Sequence, residues 1–436
     1  MSVVVTKSSP VVVVGASKPV TATSNIIDLT SFDKCFAPSP TTLIFVFEKP
    51  IDDPVETIKK ALSQALVHYP AMAGRLAGAD EEEPTHIVCT GEGVPFVAAA
   101  ASCALDDAGP LHLLDLAVRY PAEYCRLSDP LLLMQVTRFT CGGYVVGLTN
   151  NHAMADAAGL AQFMQAVGEL ARGMPRPSIV PVRSEADSSL PRLPHALVAE
   201  VRSHLRVEKE EVLPFLDVAI PMSLVSRIKA KCGTGKCTVY DAIAAVLWRC
   251  RTRAVIPDED NDPNAPMLLV MPMNARKLVG AKEGYYGNCI IFQLALATRD
   301  AVARGDIEDL VKIIRLAKEK MPDILGNSGD GSRDEQQQAQ QRAPERYNTL
   351  TISSVRNLGY EALDFGGGVP SRMMWKTAEQ PVGLVCVVCS PCKPKDMINV
   401  MSLCVKPEHA EAFLHELAAL NIEASHDLRL SPKARL

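Results

Sequence analysis

A histidine and an aspartate four positions apart, His152 and Asp156, are the side chains of this sequence best suited to proton transfer. An imidazole titrates near pH ~6.5, so it can accept a proton at neutral pH and return it later in a reaction. A histidine in apolar surroundings can equally be a hydrogen-bonded core residue. The two side chains on one helical turn could also bind a metal ion, but the sequence offers no third ligand nearby. From these residues alone a general base and a core histidine both stay open, and we predict no metal site.

The elements around His152 are predicted to be a strand pair and a helix. Segments 131–139 and 144–149 are mostly apolar, and Cys141-Gly142-Gly143 between them supplies a turn. The apolar residues that then recur at helical spacing are Leu160, Phe163, Met164, Val167 and Leu170. Gly173 ends this helix. His152 therefore lies where a strand meets a helix, a place from which a side chain can project into a cleft.

Further helices are predicted from the residues at which helices begin. Asp53-Pro54 has the form of an N-cap followed by proline at the first helical position, and apolar residues follow at helical spacing up to Tyr69. Thr238 and Asp241 have a spacing that resembles a capping box before an apolar helix. Residues 326–344 are rich in Asp, Ser, Gly and Gln, which indicates a loop.

Length and composition indicate two domains. The chain of 436 residues is longer than one ordinary domain, and its 47% of hydrophobic residues can fill a large core. Prolines interrupt the pattern repeatedly between residues 173 and 212. We therefore predict an N-terminal domain at 1–172, a crossover loop at 173–212 and a C-terminal domain at 213–436. Because strands and helices mix without a βαβ rhythm, both domains are expected to be α/β sandwich-like halves.

Charge, hydropathy and cysteine content narrow the class of protein. The 45 basic and 50 acidic side chains give a net charge of -5 without a long Lys/Arg run, so we expect no nucleic-acid partner. No stretch approaches ~18 consecutive apolar residues, so we expect no membrane span. The chain has 13 cysteines and we expect no export signal, which favours reduced, mostly buried thiols. We predict a cytoplasmic monomer.

Two motifs resemble those of the plant BAHD acyltransferases. The segment His152-Ala-Met-Ala-Asp156 fits the HxxxD motif of that family, and Asp364-Phe-Gly-Gly-Gly368 resembles its second motif, DFGWG. Both occur in the order and with the separation that the family shows. Similar segments elsewhere are 69–76, 129–136, 274–277 and 284–288. They look closest to members that use aromatic donors such as benzoyl- or hydroxycinnamoyl-CoA.

The resemblance implies an α/β fold with two chloramphenicol acetyltransferase-like domains joined by a crossover loop. It implies a solvent channel between the domains, with His152 near its middle. Acyl-CoA would enter from one face as a co-substrate and the acceptor from the other. No permanently bound cofactor is implied.

The resemblance also implies roles for individual residues. His152 would deprotonate the hydroxyl or amine of the acceptor, which then attacks the thioester directly. Ser353 occupies the position at which the family often has a Thr or Ser that donates a hydrogen bond to the oxyanion. Asp156 would pair with Arg276 and shape the site rather than orient His152. Asp364 would hold a loop remote from the chemistry.

Two positions depart from the family pattern. Val355 follows Ser353-Ser354 where Trp is usual, and Gly367 replaces the Trp of DFGWG. We expect the first change to leave room for a bulkier or differently shaped acceptor, including an aromatic amine such as tryptamine or tyramine. We expect the second change to be a difference in packing only, because that motif is not at the catalytic centre.

Two other motifs are incomplete. Residues 233–237 lack the first glycine and the Ser/Thr of a phosphate-binding loop. Cys386, Cys389 and Cys392 are spaced like zinc ligands. However, residues 384–388 are predicted to form a strand, in which positions three apart point to opposite faces. We predict neither a phosphate-binding loop nor a zinc site.

The predicted activity is transfer of an acyl group, benzoyl or hydroxycinnamoyl, from acyl-CoA to the hydroxyl or amine of a plant specialised metabolite. One alternative is an alcohol O-acetyltransferase that uses acetyl-CoA. Others are a thioester hydrolase and a binding protein that keeps the fold without turnover. The presence of His152, Ser353 and the Asp156/Arg276 pair argues against an inactive protein.

Overall fold

The computed structural model describes residues 4–8, 12–17, 25–37, 39–80, 83–114, 116–122, 125–183, 190–205, 213–233, 237–255, 262–320, 346–376 and 384–430. The loop predicted at 326–344 and the middle of the glycine-rich segment at 233–237 lie outside these ranges. None of the helices in the described ranges is both long and apolar enough to cross a membrane.

The strands in chain order are β1 (Val5–Lys7), β2 (Val12–Val14), β3 (Ile26–Asp28), β4 (Pro40–Phe47), β5 (Arg75–Ala77), β6 (His86–Val88), β7 (Val94–Ala101), β8 (Leu132–Arg138), β9 (Tyr144–Asn151), β10 (Leu216–Pro221), β11 (Pro266–Asn274), β12 (Ile290–Thr298), β13 (Thr349–Ser354), β14 (Arg372–Lys376), β15 (Val385–Cys389) and β16 (Met397–Leu403). The helices are α1 (Ser31–Lys34), α2 (Pro54–His68), α3 (Leu105–Leu113), α4 (Ala157–Ala171), α5 (His195–Leu205), α6 (Met222–Cys232), α7 (Val239–Ala254), α8 (Arg299–Arg304), α9 (Ile307–Glu319) and α10 (Ala410–Leu430).

These strands form two large sheets and one small one. Within the described residues, the first sheet has seven strands in the order β1-β7-β8-β9-β4-β14, with β2 also on β7. The second has six, in the order β10-β16-β15-β13-β11-β12, and β3, β6 and β5 form a third. Each large sheet is mixed, because β7 runs parallel to β8, and β13 runs parallel to both β11 and β15.

Strands from the C-terminal half of the chain contribute to the first sheet and to its core. Strand β14, although it lies in the C-terminal half, pairs antiparallel with β4. Buried residues Val385, Val387 and Met401, from one face of the second sheet, also belong to the first core. The first sheet therefore extends beyond the predicted domain at 1–172, and the domain boundaries themselves stay a prediction.

Two large cores hold the sheets to their helices. In the first, α2 and α4 contribute fully buried side chains such as Leu62 and Phe163. In the second, helices α6, α7, α9 and α10 cover one face of the second sheet with residues such as Trp248 and Phe413. Burying each large apolar side chain contributes about 1.5–3 kcal/mol. The first core thus holds β9, the strand that His152 follows.

Local signals in the sequence account for several elements. Helix α2 begins after Asp53, whose side chain accepts a hydrogen bond from the backbone of Glu56, as the Asp53-Pro54 pair predicted. Helix α7 begins with the capping box of Thr238 and Asp241. Between β8 and β9, Gly142 takes φ +86°, a conformation that favours glycine. These helix and hairpin predictions are confirmed.

Candidate active site

His152 lies in the turn between β9 and α4, as the predicted strand-to-helix junction requires. Its backbone N–H donates to the carbonyl of Ser39 at 2.8 Å, which ties the turn to the start of β4. The ring of Phe36 stacks on the imidazole, with 4.2 Å between ring centroids and 17° between the planes. The helix begins only at Ala157, so His152 and Asp156 do not share a helical turn. The helical geometry considered for a metal pair was therefore wrong.

Asn288 holds the imidazole from the opposite half of the chain. Its Oδ1 lies 3.1 Å from Nδ1 of His152, and its Nδ2 donates to the backbone carbonyl of His152 at 2.8 Å. Asn288 is fully buried and lies just before β12. Because a carbonyl oxygen only accepts hydrogen bonds, Nδ1 carries the hydrogen in this pair. The lone pair of the neutral ring is then on Nε2.

The surroundings of His152 favour the neutral ring. Burial lowers the pKa of His152 below its usual 6.5, because a charged imidazolium loses its hydration in the protein. Its own backbone carbonyl, Asp156, Asn288 and Asp33 act in the opposite direction. The net shift is downward, so the ring is ready to accept a proton at neutral pH.

Asp156 is the N-cap of α4 and is saturated with hydrogen bonds. Its Oδ1 accepts from the backbone of Gly159 at 2.9 Å, and its Oδ2 accepts from the backbone of Cys289 at 3.0 Å. Arg276 binds both oxygens, with Nη1 2.8 Å from Oδ2 and Nη2 2.8 Å from Oδ1. The predicted Asp156–Arg276 contact is thus present. The carboxylate bonds the guanidinium rather than the ring of His152.

Arg276 also joins this carboxylate to the segment that carries Asn288. Its Nε donates to the carbonyl of Tyr285 at 3.2 Å, and its Nη2 donates to that of Gly287 at 2.6 Å. Burial opposes the charge on the guanidinium, but the adjacent carboxylate outweighs it and raises the pKa of Arg276. The ion pair therefore fixes the backbone at 285–289 against the start of α4.

Gly159 allows this close approach. A Cβ at Gly159 would lie 1.9 Å from the carbonyl oxygen of Tyr286. Only a residue without a side chain lets the first turn of α4 reach that segment without displacing it. The contact positions Asn288, two residues after Tyr286, against the turn that holds His152.

Sequence analysis missed the roles of two residues at this site. Asn288 was noted only as part of a similar segment, and Asp33 was not noted at all. Asp33 is fully buried, and its Oδ1 accepts from both the backbone and the side chain of Asn288 at 3.0 and 2.9 Å. The available signal was the spacing of Thr30 and Asp33, which form a capping box at the start of α1.

Ser353 lies next to the end of β13, opposite Val387 of β15. Its side chain is partly buried, and within the described residues it makes no hydrogen bond to His152. Val355, two residues later, is 5% exposed and packs in the first core. The structure thus places Ser353 on the second sheet, whereas His152 follows a strand of the first.

Asp364 holds a glycine-rich loop at the other end of α4. Its Oδ1 accepts from the backbones of Gly366 and Gly368 at 2.7 and 2.8 Å. Its carbonyl oxygen lies 2.6 Å from where a Cβ on Gly168 would be. Gly168 follows Asp156 by three helical turns, roughly 18 Å along the axis. The loop is therefore far from His152.

Gly367 packs against the chain before α2. A Cβ there would lie 2.7 Å from Cγ2 of Ile51 and 3.1 Å from the carbonyl of Pro50. This backbone path leaves no room for the Trp that is usual at the position. The change from Trp to Gly therefore affects how the loop at 364–368 packs against residues 49–51.

The two cysteines of β15 point to opposite faces of the sheet, as expected for positions three apart in a strand. Cys386 is buried in the second core and Cys389 in the first, on opposite faces of the sheet. Across the part of the chain that the structure describes, no three His, Cys, Asp or Glu side chains cluster as a metal site would need.

Comparison with known proteins identifies the family. A family model described as the Transferase family matches residues 2–419. Acyl transferase 15 of Oryza sativa subsp. japonica is 40% identical over 440 residues, which cover 96% of this chain and 99% of that protein. The chain belongs to the plant BAHD acyltransferases. The resemblance seen in the sequence is therefore confirmed.

Other members and solved structures agree. The benzyl alcohol O-benzoyltransferase of Nicotiana tabacum is 31% identical over 395 residues, 86% of this BAHD chain and 84% of that protein. The crystal structure of vinorine synthase has a TM-score of 0.76 at 19% identity and covers 95% of this chain and 98% of its own. F. sporotrichioides TRI101, complexed with coenzyme A and T-2, has a TM-score of 0.62 at 16% identity, covering 90% and 97%. The predicted fold of two chloramphenicol acetyltransferase-like domains is confirmed, and this BAHD protein is an acyl-CoA-dependent acyltransferase.

Proposed function

We propose that this BAHD acyltransferase transfers an aromatic acyl group, benzoyl or hydroxycinnamoyl, from acyl-CoA to a hydroxyl or amine of a small plant metabolite. His152 is its general base. The observation that carries this assignment is the contact between Nδ1 of His152 and Oδ1 of Asn288, which leaves Nε2 free to take a proton. The lowered pKa of His152 supports it, because the ring is neutral at physiological pH.

The reaction needs one proton acceptor that becomes a donor. Nε2 of His152 takes the proton of the acceptor as the acceptor's oxygen or nitrogen attacks the thioester carbonyl. The tetrahedral intermediate then collapses, the carbon–sulfur bond breaks, and the departing CoA thiolate takes the proton from His152. No covalent acyl-enzyme forms. In this scheme the hydroxyl of Ser353 donates a hydrogen bond to the oxyanion.

The carboxylates have supporting roles in this proposal. Asp156 holds Arg276 and so maintains the segment that carries Asn288. Asp364 holds the loop at 364–368. Neither touches the substrates.

The class of acyl donor is supported by the name of the tobacco relative, a benzyl alcohol O-benzoyltransferase. Acetyl-CoA is the alternative donor, with an alcohol as acceptor. Acceptors to be compared include alcohols and the aromatic amines tryptamine and tyramine. We also propose that the enzyme acts as a monomer in the cytoplasm.

The test is a matrix of benzoyl-, hydroxycinnamoyl- and acetyl-CoA against alcohols and amines, with products identified by mass spectrometry and thiol release followed in parallel. The proposal predicts ester or amide product only when acceptor and aromatic thioester are both present. Thiol release that ignores every acceptor would indicate a hydrolase. Acetyl transfer at a higher kcat/KM than benzoyl transfer would favour the O-acetyltransferase. No thiol release with any pair would indicate a binding protein.

A further inference from the structure

Asp33 is a buried carboxylate whose bonds reach Asn288 beside His152, Thr30 at the start of its own helix, and Arg183. Oδ1 accepts two hydrogen bonds from Asn288, as described above. Oδ2 accepts from the backbone and hydroxyl of Thr30 at 2.9 and 2.7 Å and lies 3.1 Å from Nη2 of Arg183. Asp33 and Asn288 are 255 positions apart in the chain. A helix cap alone would not require this second set of bonds.

Asp33 and the backbone carbonyl of His152 together determine which way the amide of Asn288 points. Nδ2 of Asn288 faces Oδ1 of Asp33 at 2.9 Å and the carbonyl of His152 at 2.8 Å. Both are oxygens that accept, so the amide group must place its NH₂ there. Its oxygen must then face Nδ1 of His152, which must carry the hydrogen.

We propose that Asp33 is a positioning residue for acyl transfer: through the amide of Asn288 it fixes the proton of His152 on Nδ1 and keeps Nε2 free. The inference rests on the proposed role of His152 as base. It adds a residue of α1 that acts on the base through the side chain of Asn288.

Arg183 supplies the charge that balances this carboxylate. Both side chains are nearly fully buried, with 3% and 0% exposed. Val182 forms a bridge to Tyr285, which brings Arg183 against the same segment that carries Asn288. A Cβ at Gly287 would lie 1.4 Å from NH1 of Arg183, so this glycine gives the guanidinium room. The crossover segment thereby contacts the hydrogen-bond chain that leads to His152.

The charged groups around His152 come from four segments of the described structure. They are Asp33 on α1, Arg183 on the crossover segment, Asp156 at the start of α4 and Arg276 after β11. The thiols of Cys35 and Cys289 are also near, and burial raises the pKa of each to about 12, so they stay neutral. The charge of Asp33 raises the pKa of His152. Loss of that charge should therefore move the acidic limb of the kcat/KM profile to lower pH.

The decisive variant is Asp33→Asn. Donors face both oxygens of Asp33: Thr30 and Arg183 lie at Oδ2, and the backbone and amide of Asn288 lie at Oδ1. An amide at this position therefore sets its NH₂ against a donor whichever way it turns. We expect its oxygen to stay on the side of Thr30 and Arg183, where the guanidinium lies, so that its NH₂ faces Asn288. We expect the amide of Asn288 to turn in response, which costs its hydrogen bond to the carbonyl of His152, so that its own NH₂ faces Nδ1 of His152. The proton of His152 would move to Nε2, where it blocks the base. We expect kcat to fall roughly 100-fold or more with little change in KM.

The chain offers a closely matched control, Asp241→Asn. Asp241 is 1% exposed, forms the same capping box with Thr238 and pairs with Lys318 at 2.8 Å, but it belongs to the second core helix α7. We expect it to lose similar stability while kcat and the pH profile stay as in the wild type. A fall in kcat of the same size in both variants would overturn the proposal.

The direct readout is the tautomer of His152 at pH 8, from long-range ¹H–¹⁵N correlation spectra of histidine-labelled protein. The signal is assigned by its loss in His152→Ala. We expect the proton on Nδ1 in the wild type and on Nε2 in Asp33→Asn.

If Asp33→Asn does not fold, the wild-type spectrum alone decides, and a proton on Nε2 there overturns the proposal. A folded Asp33→Asn with the wild-type tautomer and pH profile also overturns it. By contrast, full turnover in His152→Ala would overturn the proposed function, whatever the tautomer.

Discussion

Arg276 binds both carboxylate oxygens of Asp156 with hydrogen bonds of 2.8 Å. Asp156 is 2% exposed, so its removal would leave a largely buried guanidinium without its counter-charge. We expect Asp156→Ala to lower the free energy of unfolding by ~3–5 kcal/mol, measured by urea denaturation.

The control for this change is Glu48→Ala, which removes the exposed ion pair with Lys393. Because exposed pairs are well solvated, that variant should lose no more than ~1 kcal/mol. If Asp156→Ala kept full stability and altered only the pH profile, the structural role of Asp156 would be wrong.

Ser353→Ala tests the proposed oxyanion donor. Loss of one donor to a developing oxyanion should lower kcat by ~10- to 1000-fold and leave KM nearly unchanged, as steady-state kinetics would show. Ser354→Ala is the control, because neighbouring residues of a strand point to opposite faces and Ser354 accepts a hydrogen bond from the backbone of Arg356. Equal losses in both variants would argue against a specific role for Ser353.

Gly159→Ala tests the close approach between α4 and the segment before Asn288. Helix propensity alone would favour alanine by ~1 kcal/mol. The new Cβ, however, would lie 1.9 Å from the carbonyl of Tyr286, and overpacking of this kind costs ~1–3 kcal/mol. We therefore expect a lower melting temperature together with a lower kcat. Gly15→Ala, whose Cβ would meet no atom nearer than 4.0 Å, should change neither. A more stable Gly159→Ala protein would show that propensity outweighs the contact.

The pH dependence of kcat/KM should reflect the lowered pKa of His152. The base is active when neutral, so activity should fall only as the pH drops below the usual value of 6.5. Folding stability follows the same sign. His152 contributes stability above pH 6.5, where it is neutral in both states, and this is lost as the pH falls toward the lower pKa of the folded protein. An acidic limb with its midpoint above 6.5 would contradict the assignment. The measurement is initial rates between pH 4.5 and 8 (roughly two units either side of the reference pKa).

Features set by neighbouring residues could be predicted from the sequence. The helix start at Asp53-Pro54 and the capping box at Thr238 depend on contacts within one turn, and both are observed. The glycine turn between β8 and β9 is local as well. The apolar patterns of the strand pair and of the following helix located His152 at the strand-to-helix junction, although the start of α4 at Ala157 makes Asp156 a cap rather than a residue within the helix.

Features that depend on residues far apart in the chain could not be predicted from the sequence. Asp33 reaches Asn288 across 255 positions, and Asn288 reaches His152 across 136. No periodicity or spacing encodes such contacts, because they depend on how the two halves pack. The pairing of β14 with β4 is of the same kind. The Asp156–Arg276 contact was anticipated only through resemblance to a family.

The central claim is that His152 is the general base, and the rate of acyl transfer by His152→Ala tests it most directly. The substitution leaves Oδ1 of Asn288 without a donor, so a loss of ~1–3 kcal/mol of stability is expected and the rate must be measured on protein shown to be folded. With benzoyl-CoA and an acceptor alcohol that serves the wild type, we predict a rate lower by roughly 100- to 10,000-fold. A folded variant whose rate stays within about tenfold of the wild type would contradict the claim, because positioned general bases contribute more than that.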